Sequence, residues 1–494
     1  MKDGSTIKNR GVSTLEIIIA LAILSITFAA LILLSFSNSS LALDSDLNNH
    51  GLAVAREEFE ILRGESFSDF NNLVSATSTI IGQDGDPYSG LYSKDISVSS
   101  ITPCRKKVSE TISWQADSRP QGITFASFFG SPSVLSQLGN DCGGEMSAAK
   151  DWSKITETSA VSNLPSAITG LDMKNGIAYM TASTGSTTAN FFAYNTKNSN
   201  FSSLIAGNGF QALDVAQNYA YVGNASSTDQ LQVIDIGDPE NLKLISCDQA
   251  CTLLGSNKPG QSIFYFDGKV YIGTDYSPSS HSAELHIFDV SDPANPVEIG
   301  NLKVWHSVNA IAVSNQFIDG VEKTICYLAL SSTDASMPEL EAFDVTSPTL
   351  EMDAKTNTLP LGFFNPPGTE YGTALFLIGN KLYLGRQGQG LSKTTESEFF
   401  ILDVTDPKNI HEIEHANLNL STTDGVYVSA IRAFENIVFI ASTYSKKPIF
   451  EYDSNAHQMI SISPWASFGV NGMDIENNQL YEVGSKGLHI FSPQ

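Results

Sequence analysis

The sequence predicts two parts in series: a long N-terminal helix with a small antiparallel sheet, an α+β arrangement, followed by an all-β ring of seven repeated four-stranded units. Three observations predict this. Residues Ile17 to Phe36 carry no charge and lead into an amphipathic helical pattern, residues 65 to 146 alternate with the period of strands, and from residue 147 one strand-and-turn pattern recurs through the rest of the 494-residue chain. The length exceeds one ordinary domain and supplies material for a large core.

Lys2, Lys8 and Arg10 precede the uncharged run, Gly11 stands before it, and Glu16 is the charge just inside its boundary. About 20 residues at ~1.5 Å each cover a hydrocarbon core of ~30 Å. A secretory signal peptide would instead have a shorter apolar region with its small-residue cleavage site after it. The order of basic leader, Gly11, apolar run and a glutamate fifth after the glycine resembles the type IV prepilin leader of minor pilins and secretion pseudopilins. That resemblance implies cleavage by a prepilin peptidase between Gly11 and Val12 and N-methylation at Val12, where many members carry phenylalanine or methionine. It also implies a subunit held single-pass in the cytoplasmic membrane, then joined to other pilin subunits by inner-membrane assembly machinery in an extracellular filament or at the cell surface. Glu16 has a physical reading of its own. A carboxylate in a membrane helix costs roughly 2.5 to 3.5 kcal/mol, and an ammonium created at Val12 lies one helical turn away. Each is a partner for its opposite on a neighbouring subunit, an assembly role. The plainer alternative, a signal anchor whose helix N-terminus favours a negative charge, leaves Gly11 and the leader unexplained.

These readings divide the first part into a leader (1–11), a transmembrane and assembly helix (12–36) and its continuation (37–64). In the continuation Leu41, Leu47, Leu52, Val54, Phe59 and Leu62 alternate with Asp44, Asp46, Arg56 and Glu57, and Gly64 is the expected end. Gly51 is its one weak point. Strands are expected over Asp95–Ile101, Lys107–Gln115 and Gly122–Phe129. The strand ending in Trp114, followed by the hydroxyl-rich Ile123–Phe129, resembles the head of small minor pilins, which implies a pilin head over 65–146. Gln83-Asp84-Gly85-Asp86-Pro87 lacks the further spaced oxygens of a calcium loop and reads as a turn.

From about Lys150 an apolar strand, a tyrosine-bearing strand and a third strand ending in Asp-Val or Asp-Ile recur before a proline turn. The clearest ends are Val233-Ile234-Asp235-Ile236, Ile287-Phe288-Asp289-Val290, Ala342-Phe343-Asp344-Val345 and Ile401-Leu402-Asp403-Val404. Weaker ends stand at Phe192–Asn195, Phe450–Asp453 and His489–Phe491. Repeats of roughly 40 to 60 residues with several strands each are the signature of propeller blades, so 147–494 reads as a seven-bladed β-propeller. The seventh repeat lacks an outer strand, and Ile155–Val161 is placed to supply it and close the ring. The strand ends resemble the bacterial cell-surface repeat family named for Leu-Val-Ile-Val-Asp. Followed two or three residues later by Asp-Pro or Ser-Pro, each of these aspartates can accept backbone donors in the turn, so they read as turn fixers, not catalytic acids.

A net charge of -25, which becomes -27 once residues 1–11 with their three basic residues and one acidic residue are removed, repels phosphate and argues against nucleic acid. Only Arg105-Lys106-Lys107 is locally basic. Cys104, Cys142, Cys247 and Cys251 are disulfide candidates suited to an oxidising compartment, with Cys326 in an apolar run as a buried thiol. No metal or cofactor is expected. His411-Glu412-Ile413-Glu414-His415 matches the zinc-protease letters, but that chemistry needs a helix. As an outer strand at ~3.3 Å per residue it would hold the histidines ~13 Å apart. Propeller sialidases use three arginines, whereas the ring has Arg386 and Arg432. The expectation is therefore a non-enzymatic, minor pilin-like subunit presenting a propeller head for adhesion to a surface glycan or protein. Trp305, His306, Tyr371, Tyr427 and Asn471 are candidate rim contacts. Alternatives are a pseudopilin-like tip of a secretion system, a priming subunit, or a surface-anchored propeller enzyme.

Overall fold

The computed structural model describes residues 14–68, 73, 75–80, 90–102, 105–116, 119–130 and 150–494, the last apart from 163, 166–167, 246–250, 254–255, 257, 278–281, 332–336, 389–396, 421–425, 435, 446–448, 454–457 and 463–468. The chain separates into two compact units.

The first unit holds the helix α1 (Thr14–Ser68) and most of an antiparallel sheet of β1 (Ala76–Ile80), β2 (Tyr92–Thr102), β3 (Arg105–Ala116) and β4 (Arg119–Gly130), ordered β1-β2-β3-β4. The alternation that marks these strands buries one face. Ala55 of the helix, Tyr92, Ile112 and Trp114 form its core, with Leu47, Val54, Ile123 and Phe125 packed around them. A Cβ at Gly51 would meet the Trp114 ring at 2.9 Å, so the glycine that reads as a helix weakness is what lets the indole lie against the helix. The Tyr92 hydroxyl donates to the Leu47 carbonyl at 3.0 Å, and Lys94 pairs with Glu58 at 2.6 Å. Gly64 does not end the helix, which continues to Ser68.

The expected fold class and location are corrected. The protein is predominantly β, built from many four-stranded sheets, and is not an α+β pilin fold. Among the described residues no helix is long and apolar enough to cross a membrane, against the expected single-pass location.

The second unit is propeller-like. Seven inner strands, Ile168–Lys174, Phe210–Ala216, Gly260–Phe266, Ser307–Ile318, Gly372–Ile378, Val428–Phe434 and Val470–Glu476, each open a sheet, here blades 1 to 7. Each inner strand touches the next and the seventh touches the first. Within every blade consecutive strands pair antiparallel, and β5 (Ile155–Val161) completes blade 7 by pairing with Gly487–Pro493, supplying the outer strand that the seventh repeat lacks and closing the ring. The core lies between blades. Tyr327, Leu328's neighbour Ala329 and Leu340 of blade 4, for example, pack against Leu382, Leu384 and Phe400 of blade 5.

The repeat aspartates fix turns. Asp235, Asp289, Asp344 and Asp403 accept from the backbone N–H groups of Gly237, Ser291, Thr346 and Thr405 at 2.8–3.0 Å. Blade 4 departs from the pattern. Its connection 345–361 runs back to lay Met352–Asp353 parallel to the outer strand of blade 3 before Gly362–Phe364 completes its own sheet.

Candidate functional site: the ring axis and its rim

An inner strand leaves one backbone edge without a sheet partner, and seven such edges meet at the axis. Each inner strand has a register shift at its start, which sets one residue apart: Thr169, Gln211, Gln261, Asn309, Thr373, Ser429 and Asn471. All seven are polar. Thr169 donates to the Phe210 carbonyl of the next blade at 2.7 Å, Asn309 to Gly372 at 2.7 Å, Thr373 to Val428 at 2.7 Å, Ser429 to Val470 at 2.6 Å, and Asn471 to Ile168 at 2.7 Å. Ser262 donates from blade 3 to Val308 at 2.8 Å. The result is a belt of blade-to-blade bonds that satisfies the exposed edge.

Deeper in, carboxylates satisfy the edge N–H groups. Asp474 accepts from Met173 at 2.8 Å, Asp172 from Val215 at 2.7 Å and Asp214 from Tyr265 at 2.6 Å. Arg432 pairs with Asp474 at 2.7 Å. These strands line an axial cavity of about 310 Å³, in which Phe264, Ala312 and Phe376 share the wall with the charged residues. Burial pushes the Asp214 carboxyl up to about 7, against the Tyr265 bond and the Arg432 charge, which pull it down. The charged side chains therefore serve the ring's own backbone.

A second set of repeated positions does the same in the connections that lead on towards the next blade. Asn190, Gln230, Glu284 and Glu398 stand just before the third strands and accept from the backbone of Ala206, Leu253, Val304 and Leu418. In blade 4 the equivalent Glu339 takes the buried Arg386 guanidinium, with its Nε bond at 2.6 Å, while Arg386 also donates to Ser397 and Pro367 carbonyls. Arg386 and Arg432 thus have different carboxylate partners, unlike a sialidase triad. Both sets escape single-residue reading and become visible only when the repeats are laid over one another at a fixed offset from their aspartates.

The rim is built differently. Trp305, in the connection entering blade 4, has φ 67°, a left-handed conformation unfavourable for a bulky side chain. Glu284 Oε2 holds it, accepting from Val304 at 2.9 Å and Trp305 at 3.0 Å. The indole Nε1 donates to Asp353 at 3.2 Å, and the Lys303 and Lys355 ammonium groups lie 3.8 and 4.2 Å from its ring. The blade 4 detour supplies Asp353 and Lys355. Tyr276 and His306 lie beside one another, with ring centroids 6.4 Å apart. Asn471, expected on the rim, belongs to the belt. Tyr427 donates its N–H to Thr443 Oγ1 at 3.0 Å, and burial raises the phenols of both Tyr371 and Tyr427.

Gly11, Val12, Cys104, Cys142 and Cys247 lie outside the described residues, as does the side chain of Glu16. Cys251 is disulfide-bonded and buried, and Cys326 is free and buried, where desolvation raises its thiol well above the ordinary range. His411–Ala416 is an exposed outer strand, and among the described residues no group of three metal-ligating side chains converges.

The LVIVD repeat model matches residues 210–247 and 280–304, which fits the propeller-like β domain. No curated protein matches the chain. Among solved structures, the crystal structure of the computationally designed Ika8 protein is 13% identical, covers 68% of this chain and 99% of its own, and gives a TM-score of 0.44. A chain in the crystal structure of the Mitotic Checkpoint Complex is 12% identical, covers 69% and 93%, and gives 0.45.

Proposed function

We propose that this protein is a non-catalytic binding protein, adhesive in role, whose ligand-contacting surface is the rim around Trp305. The observation that carries the reading is the strained tryptophan. A left-handed conformation costs an ordinary residue roughly 1–2 kcal/mol, and such strain gathers at ligand clamps. Here the detour of blade 4 supplies Asp353 and Lys355 to the indole, while the polar groups of the axis serve the ring itself. The ligand is a glycan or protein surface. A test uses the full chain against arrayed glycans and surface proteins. Trp305→Gly should cut binding at least tenfold without lowering the melting temperature, because glycine relieves the backbone strain. A wild-type chain that binds nothing, or a variant that binds as well as wild type, would sink the reading.

The finer proposal is that the chain is a minor pilin-like subunit, cut by a prepilin peptidase between Gly11 and Val12 and joined to other subunits through Glu16. It is supported by the order of basic leader, glycine and uncharged run. Mass spectrometry of the N-terminal peptide decides it: a start at Val12, methylated or not, is expected, and an intact Met1 terminus on the mature protein would overturn it.

A further inference from the structure

Blade 7 takes its fourth strand, β5, from the other end of the propeller's chain, and its chemistry differs from the other six. In every blade the second strand sets one side chain directly opposite a third-strand partner. Six blades place Met180, Val222, Ile272, Leu328, Leu384 and Ile440 there, and blade 7 places Glu482, opposite His489. Directly opposed residues hold their Cβ atoms roughly 4.5–5.5 Å apart. His489 Nδ1 in turn bonds Glu157 Oε1 on β5 at 2.7 Å, across the closing seam. Glu482 is 1% exposed, and its Oε2 has no hydrogen-bond partner among the described residues.

The turn leading into β5 meets a second such group. Trp152 packs against Phe434 and Phe439 of blade 6, with ring centroids at 5.7 and 5.1 Å. Glu451 lies directly opposite Phe439, is 7% exposed, and has an Oε2 with no partner among the described residues. Two buried carboxyl groups therefore flank the segment that closes the ring, and that segment carries Asp151 and Glu157.

We propose that ring closure is a proton-dependent latch: Glu451 and Glu482 are neutral when the seam is shut, and their ionisation repels Asp151 and Glu157 and releases β5. The charged groups around them support this direction. Facing Glu482 are His489 on the third strand and Glu157 on β5, while the inner strand opposes it with Met473. Around Glu451 stand Asp453 on its own strand and Asp151, whose charge is shared with Lys154 at 2.7 Å. Asp474 and Arg432 neutralise each other at the axis. Burial first, and then the Glu157 charge, push Glu482 up to about 8; burial, Asp453 and Asp151 push Glu451 up to about 7. Both folded values lie above the ordinary 4.5, so the stability these groups contribute is complete in acid and is lost as pH rises towards 8. Blade 3 is an internal control. His286 bonds Glu298 at 2.7 Å in the same arrangement, but Ile272 stands where blade 7 has Glu482.

Hydrogen–deuterium exchange on the full chain tests the latch. After correction for intrinsic rates, amide protection in β5 should fall about tenfold or more between pH 6 and pH 9, while protection in Val297–Lys303 of blade 3 stays level. Glu482→Gln with Glu451→Gln should abolish the difference, and Glu482→Leu, which restores the residue type of the other blades, should remove most of it. Level protection of β5 in the wild type, an equal fall in blade 3, or an undiminished fall in the double variant would each overturn the proposal.

Discussion

Arg386 shows how little a single letter says about a buried charge. It is fully buried, and its main partner Glu339 lies 47 residues away on the preceding blade, so neither its ion pair nor its lack of catalytic freedom can be read locally. Truncating one member of such a pair leaves the other charge buried without compensation, which typically costs ~3–5 kcal/mol, whereas replacing both with apolar residues is often neutral. Arg386→Leu should therefore lower the urea midpoint sharply. Adding Glu339→Leu should recover much of that loss, with Glu370, 3.8 Å from Arg386, the remaining acid nearby. A double variant no better than the single would show that the guanidinium's bonds to Ser397 and Pro367 matter more than its ion pair. Trp305 was visible as an aromatic residue in an entering loop; its strain and its two flanking lysines were not, because Lys355 arrives from a segment some 50 residues further on, through the blade 4 detour.

Among the elements, what the sequence makes legible is what repeats locally. Period-two alternation and Asp-Pro turns place the strands, and Ile155–Val161 is recognisable as the closing strand because blade 7 is otherwise one strand short. The same logic reads His411–Ala416 as a strand in spite of its zinc-protease letters. Titrating zinc into the protein should show no binding beyond that of a His411→Ala variant. The belt is legible only by superimposing repeats, since its residue types differ, Thr, Gln, Asn and Ser, and only their position is shared. Thr373→Val keeps the shape of the side chain but orphans the Val428 carbonyl, so it should cost ~1 kcal/mol, measured as a shift in urea midpoint at unchanged slope. The long helix is the instructive failure. An uncharged run specifies helix well, but among the described residues no helix is long and apolar enough to cross a membrane, and Gly64 was read as a stop where the helix goes on.

At the scale of the whole molecule, pH is the variable that the composition hides. With -25 formal charge and an isoelectric point near 4.6, the surface carboxylates are ionised well below neutrality, so a surface-only argument predicts flat stability above about pH 6. The interior predicts a slope. Burial pushes Glu341 up to about 7, alongside Glu451 and Glu482, and Glu110 in the first unit also rises to about 7. Unfolded, each would titrate near 4.5, so the unfolded chain binds fewer protons than the folded one between that value and about 8. Stability must then fall with rising pH across that interval. Urea midpoints measured from pH 5.5, clear of the isoelectric point, to pH 9 should decline steadily and level off above pH 8. Glu341→Gln, which leaves the seam untouched, should remove part of this global decline without altering the exchange of β5. A flat profile in the wild type would mean that the buried carboxylates are ionised throughout and are stabilised by groups other than those that face them here.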